Sequence, residues 1–166
     1  MQHFENGHYI ALDIEISPTA KPGNIVFSIV NGGKTSIFNW PLLPRRKNRG
    51  TQFAQGLTSA DLVYFLMPDR FSNGDSTNDK IPGLKDQSLN RSEIFLRHGG
   101  DLQGVANHLD YLQKLGTTTL WMTPVVENDM PDRTEHGYAA TNNYKTETRF
   151  GGDKAYLALS DSLHKR

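Results

Sequence analysis

The chain has no cysteine, no net charge and no long apolar run, and each absence excludes something. Without cysteine, its 166 residues can form neither disulfides nor thiolate metal sites. Eighteen basic and eighteen acidic residues cancel, so no overall field favours nucleic acid or an anionic membrane as a partner. No apolar stretch approaches the roughly 20 residues that a membrane-spanning helix needs. A hydrophobic content of 36% fits a globular protein.

The N-terminal residues also carry no targeting signal. Residues 1–8 (MQHFENGH) have neither the basic start nor the apolar core of a secretory signal peptide. The sequence therefore assigns no compartment, and a parent protein in the periplasm or in the cytoplasm is equally compatible with it. It gives no indication of the oligomeric state either.

Residues 9–43 are predicted to form β-strands. Apolar and polar residues alternate over 10–16, the pattern of a half-buried strand. Two further strands are predicted over 25–30 and 35–43, on either side of the hairpin turn at 31–34 (NGGK). Three strands can hardly close a sandwich, so this region is interpreted as part of a β-domain rather than a whole one.

Residues 44–60 are predicted to be a linker. Its first part, 44–50 (PRRKNRG), is basic and bounded by proline and glycine. A nucleic-acid or targeting patch is the alternative, but the zero net charge of the chain favours a solvated connection between domains.

From residue 61 onward the pattern changes to strand, loop, helix, strand, loop, helix. Residues 61–67 and 117–122 are apolar runs suited to buried strands. Between them a helix is predicted from an Asp101 N-cap to Gly116. Its apolar positions repeat at helical spacing: Leu102, Val105, Leu109, Leu112 and Leu115. Asp153 is predicted to cap the last helix. This order indicates parallel strands joined by right-handed crossovers.

The loop after the first apolar run gathers oxygen ligands. Four side chains within a short segment offer oxygens: Asn73, Asp75, Asn78 and Asp79. Calcium takes 6–8 oxygen ligands, so a second segment must contribute, and the natural donor is 99–101 (GGD). The alternative is a turn-rich loop whose Asn and Asp side chains cap their own backbone. Composition leaves both interpretations open.

A second motif follows the second apolar run. Residues 136–141 (HGYAAT) place the His136 imidazole beside the Tyr138 ring. A tyrosine beyond a barrel strand can stack on a sugar, and its hydroxyl and the imidazole can bond sugar hydroxyls. Taken alone, however, the triplet is better explained by a half-buried packing tyrosine.

Taken together, these motifs resemble the start of the catalytic barrel in the α-amylase family of glycoside hydrolases, family 13. The closest resemblance is to the cyclomaltodextrinase and neopullulanase branch, whose members carry D-R-F-x-x-G-D-x-x-N-D and later G-G-D-x-x-G. Residues 69–79 (DRFSNGDSTND) and 99–104 (GGDLQG) match every specified position. The family's W-x-x-P-V-x-E-N, H-G-Y and R-F-G motifs follow in order at 121–128, 136–138 and 149–151.

The resemblance implies roles for particular residues. It implies a structural calcium ion with six ligands: Asn73, Asp75, Asn78, Asp79, the Gly99 carbonyl and Asp101. It also implies that Tyr138 forms the platform for the sugar at the cleavage site, with His136 beside it.

Three positions depart from the family pattern. Asn142 and Glu147 stand where relatives usually carry Asp, and Ala139 stands where many amylases carry Trp. Neither Asn142 nor Glu147 stands at a catalytic position of the family. The charge lost at Asn142 puts the salt-bridging beside the substrate loop in doubt.

The implied fold class is α/β. Residues 61–166 would form the first two βα units of a (β/α)₈ TIM barrel, and residues 1–43 the C-terminal part of an N-terminal, immunoglobulin-like β-sandwich. The family's catalytic carboxylates follow strands four, five and seven, so no residue of this chain is assigned as catalytic. We expect the chain alone to be inactive. We expect its parent to cleave α-1,4-glucans or cyclodextrins with retention, and the sequence does not separate hydrolase from glucosyltransferase.

A second hypothesis comes from another class of protein. In this hypothesis the chain is a free-standing, calcium-dependent carbohydrate-binding module in which the β-strands bind the sugar. Exposed aromatic residues are typical of such modules, and residues 9–43 contain few of them: Tyr9, Phe27, Phe38 and Trp40.

Overall fold

A computed structural model describes residues 2–3, 10–45 and 56–166. The chain divides into two units, residues 1–56 and residues 57–166. Most of the predicted linker lies outside the described residues. No helix in the described part of the chain is long and apolar enough to cross a membrane.

The first unit is built around the predicted hairpin. Strands β3 (Gly23–Asn31) and β4 (Lys34–Leu42) pair antiparallel through a two-residue turn, and Phe27 stacks on Phe38 across them with ring centroids 4.7 Å apart. Two-residue turns with glycine at their centre match the twist of the strands they join. A short pair, β1 (Gln2–His3) and β2 (Ile10–Ala11), completes the strands described in this unit.

The strand predicted over 10–16 is wrong beyond residue 11. Its apolar side chains Leu12, Ile14 and Ile16 are all exposed among the described residues. An alternating pattern stabilises a strand only where another element covers one face. The immunoglobulin-like sandwich therefore stays a prediction.

The second unit contains the predicted parallel strands. Strands β5 (Val63–Leu66) and β6 (Thr119–Met122) pair in parallel, with Val63 opposite Thr119 and Leu66 opposite Met122. The chain between them passes through α1 (Pro68–Phe71), a 3₁₀ turn (Ser76–Asn78), α2 (Leu102–Asn107) and α3 (Leu109–Lys114). This connection is the crossover that a parallel pair requires.

One face of the strand pair carries the core. The residues buried there come from β5, the helices and the segment before the last helix: Leu66, Leu102, Val105, Leu109, Leu112, Phe150 and Leu159. On the opposite face Phe65 and Trp121 meet edge to face and remain 56% and 63% exposed. Side chains alternate along a strand, so this difference follows directly from the position of each residue.

The single helix predicted from 101 to 116 is interrupted at His108. Its backbone leaves the helical region (φ −110°, ψ 12°), its N–H bonds the Val105 carbonyl, and its ring Nδ1 lies 2.8 Å from the Gly104 oxygen. A side chain that bonds the preceding turn competes with the regular backbone ladder. The predicted ends are confirmed, with Asp101 as N-cap and Gly116 just after the last turn.

The last part of the second unit is a short ribbon followed by a helix. Strands β7 (Val126–Glu127) and β8 (Asn142–Thr146) pair antiparallel, a 3₁₀ turn (Thr148–Phe150) follows, and α4 spans Gly152–His164. The prediction that Asp153 caps α4 is wrong, because Gly151 occupies the N-cap. Asp153 lies in the first turn and instead accepts the Thr146 N–H at 2.9 Å.

Candidate functional site

Two loops follow the carboxyl ends of β5 and β6. In parallel strands these ends lie at the same edge of the sheet, which is where the active sites of parallel barrels are found. We call residues 73–79 the first loop, residues 98–101 the glycine turn and residues 134–138 the second loop. Together they contain every site residue that the sequence predicts.

Asp101 joins the first loop to the N-terminus of α2. Its carboxylate is fully buried, and Oδ1 accepts the N–H groups of Gly74 and Gly104 at 3.1 and 2.6 Å. Oδ2 accepts the Asp75 N–H at 2.8 Å and the Asn78 amide at 3.3 Å. Four donors on one carboxylate give Asp101 a structural role whatever else binds to it.

Asn73, Asp79 and Gly99 come together beside Asp101. The Asn73 amide donates to Asp79 Oδ1 at 2.7 Å. A Cβ at Gly99 would lie 2.6 Å from Asp79 Oδ1 and 2.9 Å from Asn73 Nδ2, so only glycine allows this approach. The structure therefore brings three of the predicted ligands into contact.

The other two predicted ligands of the first loop differ from each other. Asn78 is buried, and its Oδ1 has no hydrogen-bond partner among the described residues. The Asp75 carboxylate turns away and accepts the N–H and hydroxyl of Thr77 at 3.0 and 2.6 Å. Asp75 thus caps the 3₁₀ turn, and the side-chain rotamer shown does not aim it at the other candidates.

The chemistry of this donor set fits a hard cation. Burial raises the pKa of Asp79, and the negative charge of Asp101 adds to that rise while the Asn73 hydrogen bond opposes it. A cation would relieve the cost of this partly buried carboxylate and give the buried Asn78 oxygen a partner. No cluster of three or more His, Asp and Glu side chains occurs in the described part of the chain, so amide and backbone oxygens would have to supply much of the coordination.

A polar pocket of about 490 Å³ opens next to these groups. Asn73 and Asp79 form one side of it, and Arg91 and His98 contribute nitrogen-bearing side chains. Two of the candidate ligands, Asn73 and Asp79, can therefore be reached from solvent.

The second loop presents His136 and Tyr138 at the end of β6. The Tyr138 N–H donates to His136 Nδ1 at 2.9 Å, and the two ring centroids are 5.9 Å apart. Tyr138 is 64% exposed, so packing within this unit does not hold its ring. An exposed tyrosine beside an imidazole offers one apolar face and polar tips, which suits a sugar ring.

A buried polar network lies beneath both loops, and sequence analysis missed it. At its centre, Arg149 donates to both Glu147 oxygens at 2.9 and 3.0 Å. Five other residues bond to this pair or to one another: Asp69, Asp86, Arg97, Asn128 and Thr134. The R-F-G motif pointed to Arg149. Nothing in the sequence indicated that Arg97 is buried, because an arginine in a polar loop is normally exposed.

Glu147, one of the departures from the family pattern, is central to this network. Burial acts to raise its pKa, but hydrogen bonds from the Arg149 side chain and backbone outweigh burial and hold that pKa below its usual range. Its Oε2 also accepts the Asn128 N–H at 2.9 Å. The longer Glu side chain at this position thus pairs with the Arg149 guanidinium and still accepts a backbone N–H.

The family described as "Alpha amylase, catalytic domain" matches residues 65–166. The chain is 36% identical over 115 residues to the periplasmic alpha-amylase of Escherichia coli (strain K12), a match covering 63% of this chain and 17% of that protein. It is 33% identical over 108 residues to neopullulanase 2 of Thermoactinomyces vulgaris, covering 63% and 17%. The crystal structure of an Anoxybacillus alpha-amylase superposes with a TM-score of 0.53 at 36% identity, covering 64% of this chain and 22% of that one. The chain thus spans less than a quarter of the length of each relative.

Proposed function

Because the chain belongs to the α-amylase family of glycoside hydrolases, we propose that it forms the start of a catalytic barrel that cleaves α-1,4-glucosidic bonds. The substrates would be starch-derived oligosaccharides or cyclodextrins, bound by the second loop. One observation carries the proposal. The exposed Tyr138 and the half-buried His136 lie at the same edge of the parallel strand pair as the acidic first loop.

We further propose that the chain alone is catalytically inactive. Retaining glycosidases need two carboxyl groups about 5–5.5 Å apart, one as nucleophile and one as acid. The buried carboxylates of Asp69 and Asp101 accept backbone N–H groups, and Glu135 pairs with Arg133 at 3.3 Å. These groups serve the fold, so the reacting pair would belong to another part of the barrel.

The test of inactivity uses the purified 166-residue chain. It is incubated with cyclodextrin, pullulan and soluble starch, and reducing ends are assayed beside a Tyr138→Ala control. We expect no turnover above that control. Turnover by the wild-type chain alone would contradict the proposal. Retention of the chain on insoluble starch, lost in Trp40→Ala and kept in Tyr138→Ala, would favour the binding-module hypothesis instead.

The predicted calcium site is the second element of the proposal. Asn73, Asn78, Asp79 and the Gly99 carbonyl would hold the ion, with Asp101 in contact and Asp75 reaching it after a change of rotamer. Bound calcium would supply fixed positive charge that joins the first loop to the glycine turn.

Calorimetric titration of the chain tests this site. We expect Ca²⁺ to bind the wild-type chain and Asp132→Asn with equal affinity, because Asp132 is exposed and is not one of the proposed ligands. Asp79→Asn should weaken binding about tenfold or more, which corresponds to about 1.4 kcal/mol, the order of one lost charged ligand. Equal affinity in Asp79→Asn and Asp132→Asn would rule out the proposed ligand set.

A further inference from the structure

We infer that Arg97 is a positioning residue through which metal binding at the first loop fixes the second loop. The inference rests on the proposed function, since it joins the proposed metal ligands to the proposed sugar-binding residues. It concerns a single buried residue whose backbone directly precedes the glycine turn and whose guanidinium reaches the second loop.

Arg97 is tied to the glycine turn on one side. Asp69, which is buried, accepts the His98 N–H at 2.9 Å and the Gly99 N–H at 3.4 Å. The Arg97 guanidinium lies 3.6 Å from the same carboxylate, measured from Nη2 to Oδ1. The backbone that carries the proposed Gly99 ligand and the Arg97 side chain are thus held by one group.

The other end of the guanidinium reaches the second loop. Arg97 Nη1 donates to the carbonyl and the hydroxyl of Thr134, both at 3.3 Å. The same Thr134 carbonyl accepts the Gly137 N–H at 3.3 Å, which closes the turn that presents Tyr138. A shift of Arg97 therefore acts on the residue that shapes the second loop.

The contacts of Arg97 leave room for such a shift. Arg97 is 1% exposed, and its Nε and Nη2 make no hydrogen bond among the described residues. Burial lowers the pKa of this guanidinium, and the nearby Asp69 acts against that change. An under-bonded charge in a low-dielectric interior gains strongly from a closer partner. Fixing the glycine turn by a metal would fix Asp69 and draw Arg97 into better contact.

A second link between the region of the glycine turn and the second loop lies at the surface. Arg133 stacks over the Phe95 ring at 4.1 Å and pairs with Glu135, so it also links the segment before the glycine turn to the second loop. Arg133 is half exposed, and water weakens such contacts. The two arginines therefore form a natural pair of test and control.

The experiment measures amide hydrogen exchange by NMR in the 166-residue chain, with Ca²⁺ and with a chelator, and Ca²⁺ binding by calorimetry. In the wild type, Ca²⁺ should slow exchange at Gly99 and Gly100 and also at Gly137 and Tyr138. We expect the second-loop effect to be about fivefold or more, the lower end of ordinary coupling between sites.

Arg97→Lys keeps a positive charge facing Asp69, but its single nitrogen cannot contact Asp69 and Thr134 at the same time, as the two guanidinium nitrogens do. It should bind Ca²⁺ and keep the response at Gly99 and Gly100, while the response at Gly137 and Tyr138 is lost. Arg133→Gln should keep both responses. If the spectrum shows that Arg97→Lys is unfolded, Arg97→Gln takes its place, because Arg70 still pairs with Asp69.

Each other outcome overturns the inference. If the second-loop response survives in the Arg97 variant, Arg97 does not transmit the effect of the metal. If the response is lost in the Arg97 variant and in Arg133→Gln alike, any disturbance of the second loop has the same effect and Arg97 has no special role. Ca²⁺ binding to the wild type without a second-loop response overturns the inference and leaves the metal site standing. A wild-type chain that binds no Ca²⁺ overturns the metal site and the inference with it.

Discussion

The stability of the second unit depends strongly on its buried charged residues. The ion pair of Glu147 and Arg149 is almost fully buried, with two hydrogen bonds between its members. Taking two charges out of water is costly, so such a pair adds little over an apolar pair but is very damaging to break. This asymmetry makes Glu147 the clearest residue for a test of stability.

Glu147→Gln should destabilise the chain at neutral pH and make its stability less dependent on acid. The pKa of Glu147 is lowered by folding, so its contribution is present above the unfolded pKa of about 4.3 and is lost as pH falls through the folded pKa. We expect a loss of about 3 kcal/mol at pH 7, the lower end for breaking a buried pair. The difference in the free energy of unfolding between Glu147→Gln and the wild type should narrow below about pH 4.

Urea unfolding followed by circular dichroism between pH 3 and pH 7 measures this effect. The control is Asp110→Asn, whose side chain is 77% exposed and pairs with Arg166 at the surface. An exposed pair contributes little, so this control should follow the wild type. If the difference in the free energy of unfolding between Glu147→Gln and the wild type were the same at every pH, the lowered pKa of Glu147 would be contradicted.

Helix ends show how differently two similar aspartates act within an element. Both Asp101 and Asp153 precede an apolar helical pattern, and the sequence predicts an N-cap at each. Asp101 accepts four donors from two segments, whereas Asp153 lies inside the helix and accepts one N–H from β8. The number of segments that a carboxylate joins decides its effect on stability.

Asp101→Ala should therefore be far more damaging than Asp153→Ala. Removing the Asp101 carboxylate leaves four donors without their acceptor, and we expect a loss of about 3 kcal/mol or more. The loss for Asp153→Ala should be small. Thermal unfolding is measured in a chelator, so that any lost metal ligand does not contribute. Similar losses in both variants would show that joining two segments adds nothing to the contribution of Asp101.

How far the sequence predicts each element depends on what the element packs against. The apolar repeat from Leu102 to Leu112 predicts its helix because the periodicity itself creates the buried face. The break at His108 comes from a hydrogen bond to Gly104 that no periodicity contains. The alternating residues 12–16 fail as a strand because no described partner covers them.

The candidate site follows the same division. The motifs predict which residues lie at the edge of the strand pair, and Asn73, Asp79 and Gly99 do meet there. They do not predict that Asp75 turns to Thr77, since a side-chain rotamer depends on local bonds. Arg97 could not be found at all, because its burial depends on Asp69 and Thr134, which lie far away in the sequence.

At the scale of the whole molecule, the two faces of the strand pair are unequal. Helices α2, α3 and α4 bury one face, whereas Phe65 and Trp121 stand on a face that nothing in the second unit covers. The stability of the second unit should therefore come almost entirely from the helical side.

Substitutions on the two faces should show this difference. Phe65→Thr and Trp121→Thr should each cost about 1 kcal/mol or less, mainly the lost edge-to-face contact. Leu102→Ala and Leu112→Ala, at positions that are 1% and 2% exposed, should cost about 3 kcal/mol. Urea unfolding of the four variants provides the comparison. A large loss in Trp121→Thr would mean that the face is covered in solution, which light scattering would reveal as association.

The parallel pairing of β5 and β6 has a consequence for synthesis. Leu62 and Thr118, which bond at 3.0 Å next to the two strands, are 56 residues apart along the chain. At about 5–20 residues per second, the ribosome needs about 3 to 11 s to deliver the second strand after the first. Throughout that interval β5 has no partner on this side, and its apolar side chains are open to chaperones or to other nascent chains. The delay is fixed by the order of the elements, so a faster-folding sequence could not remove it.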